Sequence, residues 1–226
     1  MKAVSRGVFA MEGLKTGRSY LVEGEEGVAL VDTSSGGAAA GILRAIAATG
    51  HRIDELRAIV ATHYHFDHTG NVEVLRERSG AEFCVHADDV PYVEGSMPWM
   101  ASSPPWGLLD SFAPKPYGVK VDRALSDGDV LPFAGGMRVI HTPGHTPGHI
   151  SLHIREQRVL FAGDALMNVL GLHLPMPNSS HDMAAARRSV HALAELDFDV
   201  ALPGHGAPII GQASEKIAEW AKAWLR

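Results

Sequence analysis

The sequence predicts an α/β fold, and three observations lead there. Short apolar stretches of strand length alternate with stretches whose apolar residues recur at helical spacing. No linker-like segment divides the 226 residues, so one domain spanning 1–226 is expected. Candidate metal ligands fall at the ends of the apolar stretches, where open α/β sheets carry their sites.

The elements follow in order. SYLVEG (19–24) and GVALVDT (27–33) read as a hairpin turning through the polar Glu25-Glu26. Residues 37–49 carry Ile42, Leu43, Ile46 and Ala47 at helical spacing, and Gly50 ends the run. LRAIVAT (56–62) is an apolar strand of the buried kind, and THYHFDHTG begins where it stops. NVEVLRERSG reads as a helix closed by Gly80, followed by the strand AEFCVHA. DVLPF, GMRVIHT, ISLHIR and RVLFAGD return to strands, with Ile150, Leu152 and Ile154 alternating in the third. SHDMAAARRSVHALAEL is an amphipathic helix with Ser or Asp at its start, FDVALPGHG a last strand, and 213–225 a terminal helix. Residues 95–118 break the pattern: five prolines, two tryptophans and two methionines sit there among few charges. Apolar side chains on such a segment cover something, so it is read as a lid or pocket wall.

Composition narrows the function. Apolar residues make up 46% and charged residues 20%, ordinary for a globular protein, and the net charge of −6 gives no basic footprint for nucleic acid. No segment approaches a transmembrane span, and MKAVSRGVFAMEG holds no apolar run of signal-peptide length, so no membrane association and a cytoplasmic location are expected. A small-molecule substrate is the expected partner, and a homodimer is compatible with the sequence. Cys84, alone in the chain, excludes an intrachain disulfide and reads as strand core rather than thiolate ligand.

His63, His65, Asp67 and His68 lie within six positions. On an extended segment side chains two apart point the same way, so His63 and His65 can reach one ion. The chain must then turn into the following helix, which re-aims Asp67 and His68 toward a second position. HTPGHTPGH (141–149), GD ending at Asp164 and PGHG around His205 place further ligand types at strand ends. Pro followed by Gly suits a type II turn, which holds His145 between two rigid corners.

His63-Tyr64-His65-Phe66-Asp67-His68 resembles the HxHxDH signature of the metallo-β-lactamase superfamily, and TPGHTPGH, GD and PGHG resemble its later motifs in order. The likeness runs from GVALVDT to PGHG. It implies a four-layer αβ/βα sandwich with two mixed sheets. It also implies two divalent ions, most simply Zn²⁺ with iron, manganese or cobalt as alternatives. One ion would take His63, His65 and His145, the other Asp67, His68 and His205, with Asp164 bridging them. Asp32 would pack beneath the site. The family places the ligand at the first TPGH copy, so His149 is expected to support from nearby, and His141 is left open. His51, His86, His153, His173, His181 and His191 have no motif role.

What the resemblance implies is hydrolysis by a hydroxide shared between the ions, with Asp67 or Asp164 relaying a proton. The expected substrate is a small, fairly apolar ester or lactone. Alternatives are a glyoxalase II-like thioesterase, a β-lactamase side activity, or a mono-iron persulfide dioxygenase-like oxidoreductase. The basic glutathione-binding segment expected of the thioesterase and dioxygenase readings is not recognisable in GDALMNVLGLHLP, and many lactonases carry a tyrosine where this chain has Met167. Tyr64 and His173 are the unranked candidates for that missing donor, with Trp99, Trp106 and Met167 as further substrate contacts. A structural metal module is the alternative of another class. Structural sites close their coordination shell around one ion, whereas seven ligands sharing two leave open positions.

Overall fold

A computed structural model describes residues 1–14, 16–98 and 118–224. Strands β1 (Lys2–Ser5), β2 (Val8–Ala10), β3 (Tyr20–Gly24), β4 (Gly27–Val31), β5 (Leu56–Val60), β6 (Glu82–His86) and β7 (Arg123–Leu125) form one sheet in that order. Its first four strands pair antiparallel and β4 to β7 pair parallel. The second sheet runs β15 (Ile209–Ile210), β14 (Val200–Pro203), β11 (Val159–Gly163), β10 (Ile150–Ile154), β9 (Met137–His141), β8 (Val130–Leu131). It is antiparallel except for the β11–β14 pair. A separate short hairpin joins β12 (Met167–Asn168) to β13 (Leu172–His173).

Strand periodicity divides the apolar residues between two faces of each sheet. Val22, Ala29, Val31, Val60 and Cys84 from the first sheet meet Met137, Val139, Leu152, Phe161 and Leu202 from the second, forming the core between the sheets. The alternate residues Leu21, Leu30, Ile59 and Phe83 pack against Ile42 and Ile46 of α1 (Ala39–Ala48) and Val72 and Leu75 of α3 (Val72–Ser79). Two one-turn helices, α2 (Phe66–Thr69) and α4 (Val90–Val93), follow β5 and β6. On the far side Leu160, Ala162 and Ala201 meet Val190 and Leu193 of α5 (Met183–Ala194) and Ile217 of α6 (Ala213–Trp224). Helix, sheet, sheet and helix therefore stack as four layers, the architecture the resemblance implies.

The helix ends follow local chemistry. Gly80 closes α3 in the left-handed conformation, its N–H donating to the Arg76 carbonyl. The Asp182 carboxylate caps α5 by accepting from the N–H groups of Ala184 and Ala185. β10 departs from simple alternation. All five of its residues are buried because helices cover the face opposite Ile150, Leu152 and Ile154. Ser151 and His153 on that face are satisfied by Thr142 and by the Asp197 carbonyl.

Topology delivers the site. β4, β5 and β6 run parallel, and two successive antiparallel steps plus one parallel step give β9, β11 and β14 a common direction. The C-terminal ends of each set open on one rim, and those rims carry Asp32, the 62–69 segment, Asp89, the 142–149 loop, Asp164 and His205. The proposed lid falls largely on residues 99–117, outside the described residues, and Trp99 and Trp106 lie there too.

Phe161 stands edge-on to Tyr20 across the two sheets at 5.6 Å between ring centroids. Phe161→Ala is expected to lower the unfolding free energy by about 3–5 kcal/mol, read by urea denaturation. Burial pushes the Cys84 thiol up to about 12, with Glu82 adding to it. The native protein should therefore ignore a thiol reagent at pH 8 and yield its single thiol only after unfolding; reaction in the native state would contradict this packing.

Candidate metal centre

β5 ends at Val60, the chain bends through Thr62, His63 and Tyr64, and His65 caps α2 from a β conformation. This bend brings His63 and His65 together, their facing nitrogens 3.1 Å apart. Tyr64 points the other way into the helix–sheet core. The α2 turn then aims Asp67 and His68 inward, and His205 Nε2 lies 3.1 Å from Asp67 Oδ2 and 3.4 Å from His68 Nε2.

Four of the inward-facing groups, His63, His68, His145 and Asp164, are held from behind. Asp32 accepts from the Thr62 N–H (2.7 Å), the Thr62 hydroxyl (2.8 Å) and His68 Nδ1 (2.8 Å). With its proton given to Asp32, the Thr62 oxygen accepts from His63 Nδ1 at 3.1 Å. His145 Nδ1 bonds Ser180 Oγ, also at 3.1 Å. The Asp164 N–H donates to His149 Nε2 at 2.9 Å, and His149 Nδ1 donates to Thr142 Oγ1 at 2.8 Å. Both nitrogens of His149 are thus used in support, while His145 is the copy of the tandem motif that faces inward.

Three overlapping trios result: His63, His65 and His145; Asp67, His68 and His205; and His63, His68 and Asp164. Within each, the candidate ligand atoms lie within 4.8 Å of one another. Asp164 stands between the first two trios, with Oδ1 at 3.5 Å from His68 Nε2 and Oδ2 at 3.5 Å from His145 Nε2. His145 Nε2 and Asp164 Oδ1 are buried without a hydrogen-bond partner among the described residues. Buried polar atoms in proteins are as a rule paired, so orphans aimed at a shared centre fit a divalent cation; Ser19 Oγ, the third unpaired atom among the described residues, belongs to none of the trios. Five imidazoles and two carboxylates without a thiolate suit zinc and the first-row metals equally.

The electrostatics divide the same way. Burial, then the neighbouring imidazoles, holds His63 and His145 well below the usual histidine range, and burial brings His65 to about 4. These rings are neutral, with lone pairs ready to donate. At His68 burial works against the charge, but Asp32, Asp164 and Asp67 outweigh it and raise the group to about 9. His205 is likewise raised to about 10 against burial, through its bonds to Asp164 and Asp67. Burial opposes ionisation of Asp67 and Asp164 too, yet His68 and His205 outweigh it and hold both carboxyls below the usual range. The carboxylates of Asp32, Asp67 and Asp164 thus favour positive charge at the second trio.

His63, His68, His145 and Asp164 are buried, whereas His65, Asp67 and His205 are half-buried, so the cluster opens to solvent on their side. The substrate-side expectations fare unevenly. Tyr64 is corrected: it is 1% exposed, stacks on Tyr92 at 4.6 Å, and its hydroxyl is engaged with His181 Nε2 at 2.9 Å, so it is no donor to a substrate. His181, to which the sequence assigned no role, fixes that hydroxyl and donates its own N–H to the His145 carbonyl. Met167 and His173 pair across the β12–β13 hairpin, where His173 Nδ1 donates to the Leu174 carbonyl. Nothing in the sequence marked Asp89, which receives hydrogen bonds from two of the ligand loops. In a further trio, His86, Asp88 and His141, one nitrogen of each ring is already hydrogen-bonded. Its rings stack in parallel at 4.1 Å, His86 Nδ1 accepts the Asp88 N–H, and His141 Nε2 donates to the Pro147 carbonyl.

Glycine is required where the rim is tightest. A Cβ on Gly204 would collide with Asp164 Oδ1 and come within 2.7 Å of the His68 ring. Gly204→Ala is therefore expected to displace Asp164 and lower the ions retained per chain after dialysis against a zinc buffer, with far-UV circular dichroism unchanged. Full retention would show that Asp164 does not need this approach.

Comparison with known proteins agrees with this geometry. The family model described as Metallo-beta-lactamase superfamily matches residues 13–205. The probable metallo-hydrolase YflN of Bacillus subtilis (strain 168) is 34% identical over 177 residues, covering 70% of this chain and 67% of its own. The acyl-coenzyme A thioesterase MBLAC2 of Bos taurus is 29% identical, covering 82% and 71%. Among solved structures, a metallo-beta-lactamase family protein of Thermus thermophilus superposes with a TM-score of 0.73 at 27% identity, covering 98% of this chain and 81% of that one. A metallo-beta-lactamase of Cronobacter sakazakii gives 0.78 at 24%, covering 99% and 92%, a likeness of fold. With the motifs, the four layers and the clustered ligands in agreement with these matches, the chain belongs to the metallo-β-lactamase superfamily of metal-dependent hydrolases.

Proposed function

We propose that the protein hydrolyses a carbonyl thioester or ester of an apolar acyl group, using two divalent ions. The observation that carries the two-ion reading is Asp164, placed between two ligand trios with one buried oxygen that no hydrogen bond from the described residues satisfies. His63, His65 and His145 would hold one ion, and Asp67, His68 and His205 the other. Ions bound there polarise a carbonyl and bring the pKa of water near neutrality.

The chain's own residues supply the rest. His63, His68, His145 and Asp164 line a buried floor, and the half-buried His65, Asp67 and His205 form the mouth that a substrate carbonyl enters. Asp67 stands at that mouth, so its carboxylate takes the proton of the attacking water and passes it to the leaving sulfur or oxygen. The new bond is C–O, the broken bond is C–S or C–O, and the products are a carboxylic acid and a thiol or alcohol.

Two features support an apolar acyl group. The β12–β13 hairpin is tied to the His205 loop, the Asn168 N–H donating to the His205 carbonyl and the Ala207 N–H to the Asn168 carbonyl. It carries Met167 and Leu172, with Val169 and Leu170 exposed at its tip. Among relatives, thioesterase activity is named for MBLAC2. The lactone reading loses support because Met167 lacks a hydroxyl and Tyr64 is committed to His181.

Zinc-loaded protein, and separately manganese-loaded protein, would be offered acyl-coenzyme A esters of increasing chain length, an aryl ester, an acyl-homoserine lactone and a β-lactam. Thiol or proton release is the readout. Thioester turnover that improves with chain length and falls on the order of 100-fold or more in His145→Ala is the expected result. Turnover of the lactone alone would replace this reading, and silence across the panel with ions bound would end it.

A further inference from the structure

The carboxylate of Asp89 is buried completely, and no ion pair of the described residues involves it. A carboxylate taken out of water without a cation is costly, and burial pushes its pKa up to about 7. Three neutral donors compensate. Oδ2 accepts from the Tyr64 N–H at 3.1 Å and the Thr146 hydroxyl at 2.8 Å, and Oδ1 from the Gly148 N–H at 2.7 Å.

The positions of those donors are what matters. Tyr64 lies between His63 and His65, and Thr146 directly follows His145. One side chain on a third loop, after β6, therefore joins the segment carrying two members of a trio to the segment carrying the third. The approach is close enough that a Cβ on Gly148 would lie 2.7 Å from Asp89 Oδ1.

This arrangement also separates the roles of the duplicated TPG turns. In the first copy Gly144 packs against the start of α5, where a Cβ would strike the Ala186 backbone, and Thr142 supports His149. In the second copy Thr146 and Gly148 both turn to Asp89. His145 is thus held between an α5 contact on one side and Asp89 on the other.

We propose that Asp89 is a positioning residue that sets the spacing of His63 and His65 against His145, and so the affinity of that trio, but not of Asp67, His68 and His205, for its ion. The proposal rests on the metal-centre reading and not on the identity of the substrate.

The test is ion binding by the full chain. Zn²⁺ affinity would be measured by competition with a chromophoric chelator, and Co²⁺ coordination by its visible absorption, in wild type, Asp89→Asn and Thr146→Val. Asp89→Asn keeps the shape but turns one acceptor oxygen into a donor facing donors; Thr146→Val removes a single bond to Oδ2. The expected result is a loss of about tenfold or more in affinity for one ion. That loss comes with an altered Co²⁺ spectrum, a smaller effect in the same direction for Thr146→Val, and a second ion held as in wild type. Wild-type affinities and spectra in both variants would overturn the proposal. An equal loss at both positions that tracks a fall in Tm would overturn it too, making Asp89 a general structural group. Should Asp89→Asn fail to fold, Thr146→Val decides alone. Wild-type protein that binds no ion would remove the hydrolase reading and the positioning role together, whereas bound ions with unaffected variants would remove only the latter.

Discussion

Both halves of the metal centre are held by one carboxylate. Asp32 takes the Nδ1 proton of His68 directly and, through the Thr62 hydroxyl, orients His63. One of those rings belongs to each outer trio, so one residue standing behind the cluster braces both trios. Fixing Nδ1 in each case leaves Nε2 facing inward, which is the tautomer a ligand needs. Asp32 does this from a left-handed backbone conformation, φ 57°, which a non-glycine residue adopts at a cost. The parallel pairing of β4 with β5 makes the geometry available, since Val31 and Val60 are direct partners and the two strands end side by side. Two sheets packed through an apolar core then bring the rim of the second sheet, with His145, Asp164 and His205, against this one.

Much of this was legible in the sequence. The ligand loops announce themselves because imidazole and carboxylate groups recur at strand ends between glycines, and few other needs produce that pattern. The helices α1, α3 and α5 were readable from spacing and caps, and β3 through β6 from apolar runs. What escaped has physical causes. β1, β2 and β7 are only three or four residues long and lie at or near the sheet edge, too short for a strand period to show. Tyr64 looked like a donor because the sequence shows its neighbours but not that the bend after β5 places it in the helix–sheet core. His181 and Asp89 act through contacts 117 and 25 residues away in sequence from Tyr64, and no local pattern encodes a partner at that range.

Burial and solvent access are unequally shared in the cluster, and that inequality gives the site its direction. Among the described residues the floor groups at the rim are buried, and the cluster meets solvent on the side formed by His65, Asp67 and His205. The β12–β13 hairpin is joined to the His205 loop by backbone hydrogen bonds while Leu172 packs against the apolar layer of the second sheet, so its position is tied to both.

The tandem TPGHTPGH carries a consequence for how this chain finds its native register. Locally the two copies resemble each other, and a slip of four residues would present His149 in the place of His145 with the same Thr-Pro-Gly turn before it and Ile150-Ser151 after it. The surroundings forbid the exchange. In the slipped arrangement Asp89 would lose the hydroxyl and amide it now receives, and a carboxylate with no cation would be left buried with most of its compensation gone. The Asp164 amide would likewise lose the imidazole that accepts it. The repeat is thus a degenerate local code read correctly only because each copy docks on a different, non-repeating surface.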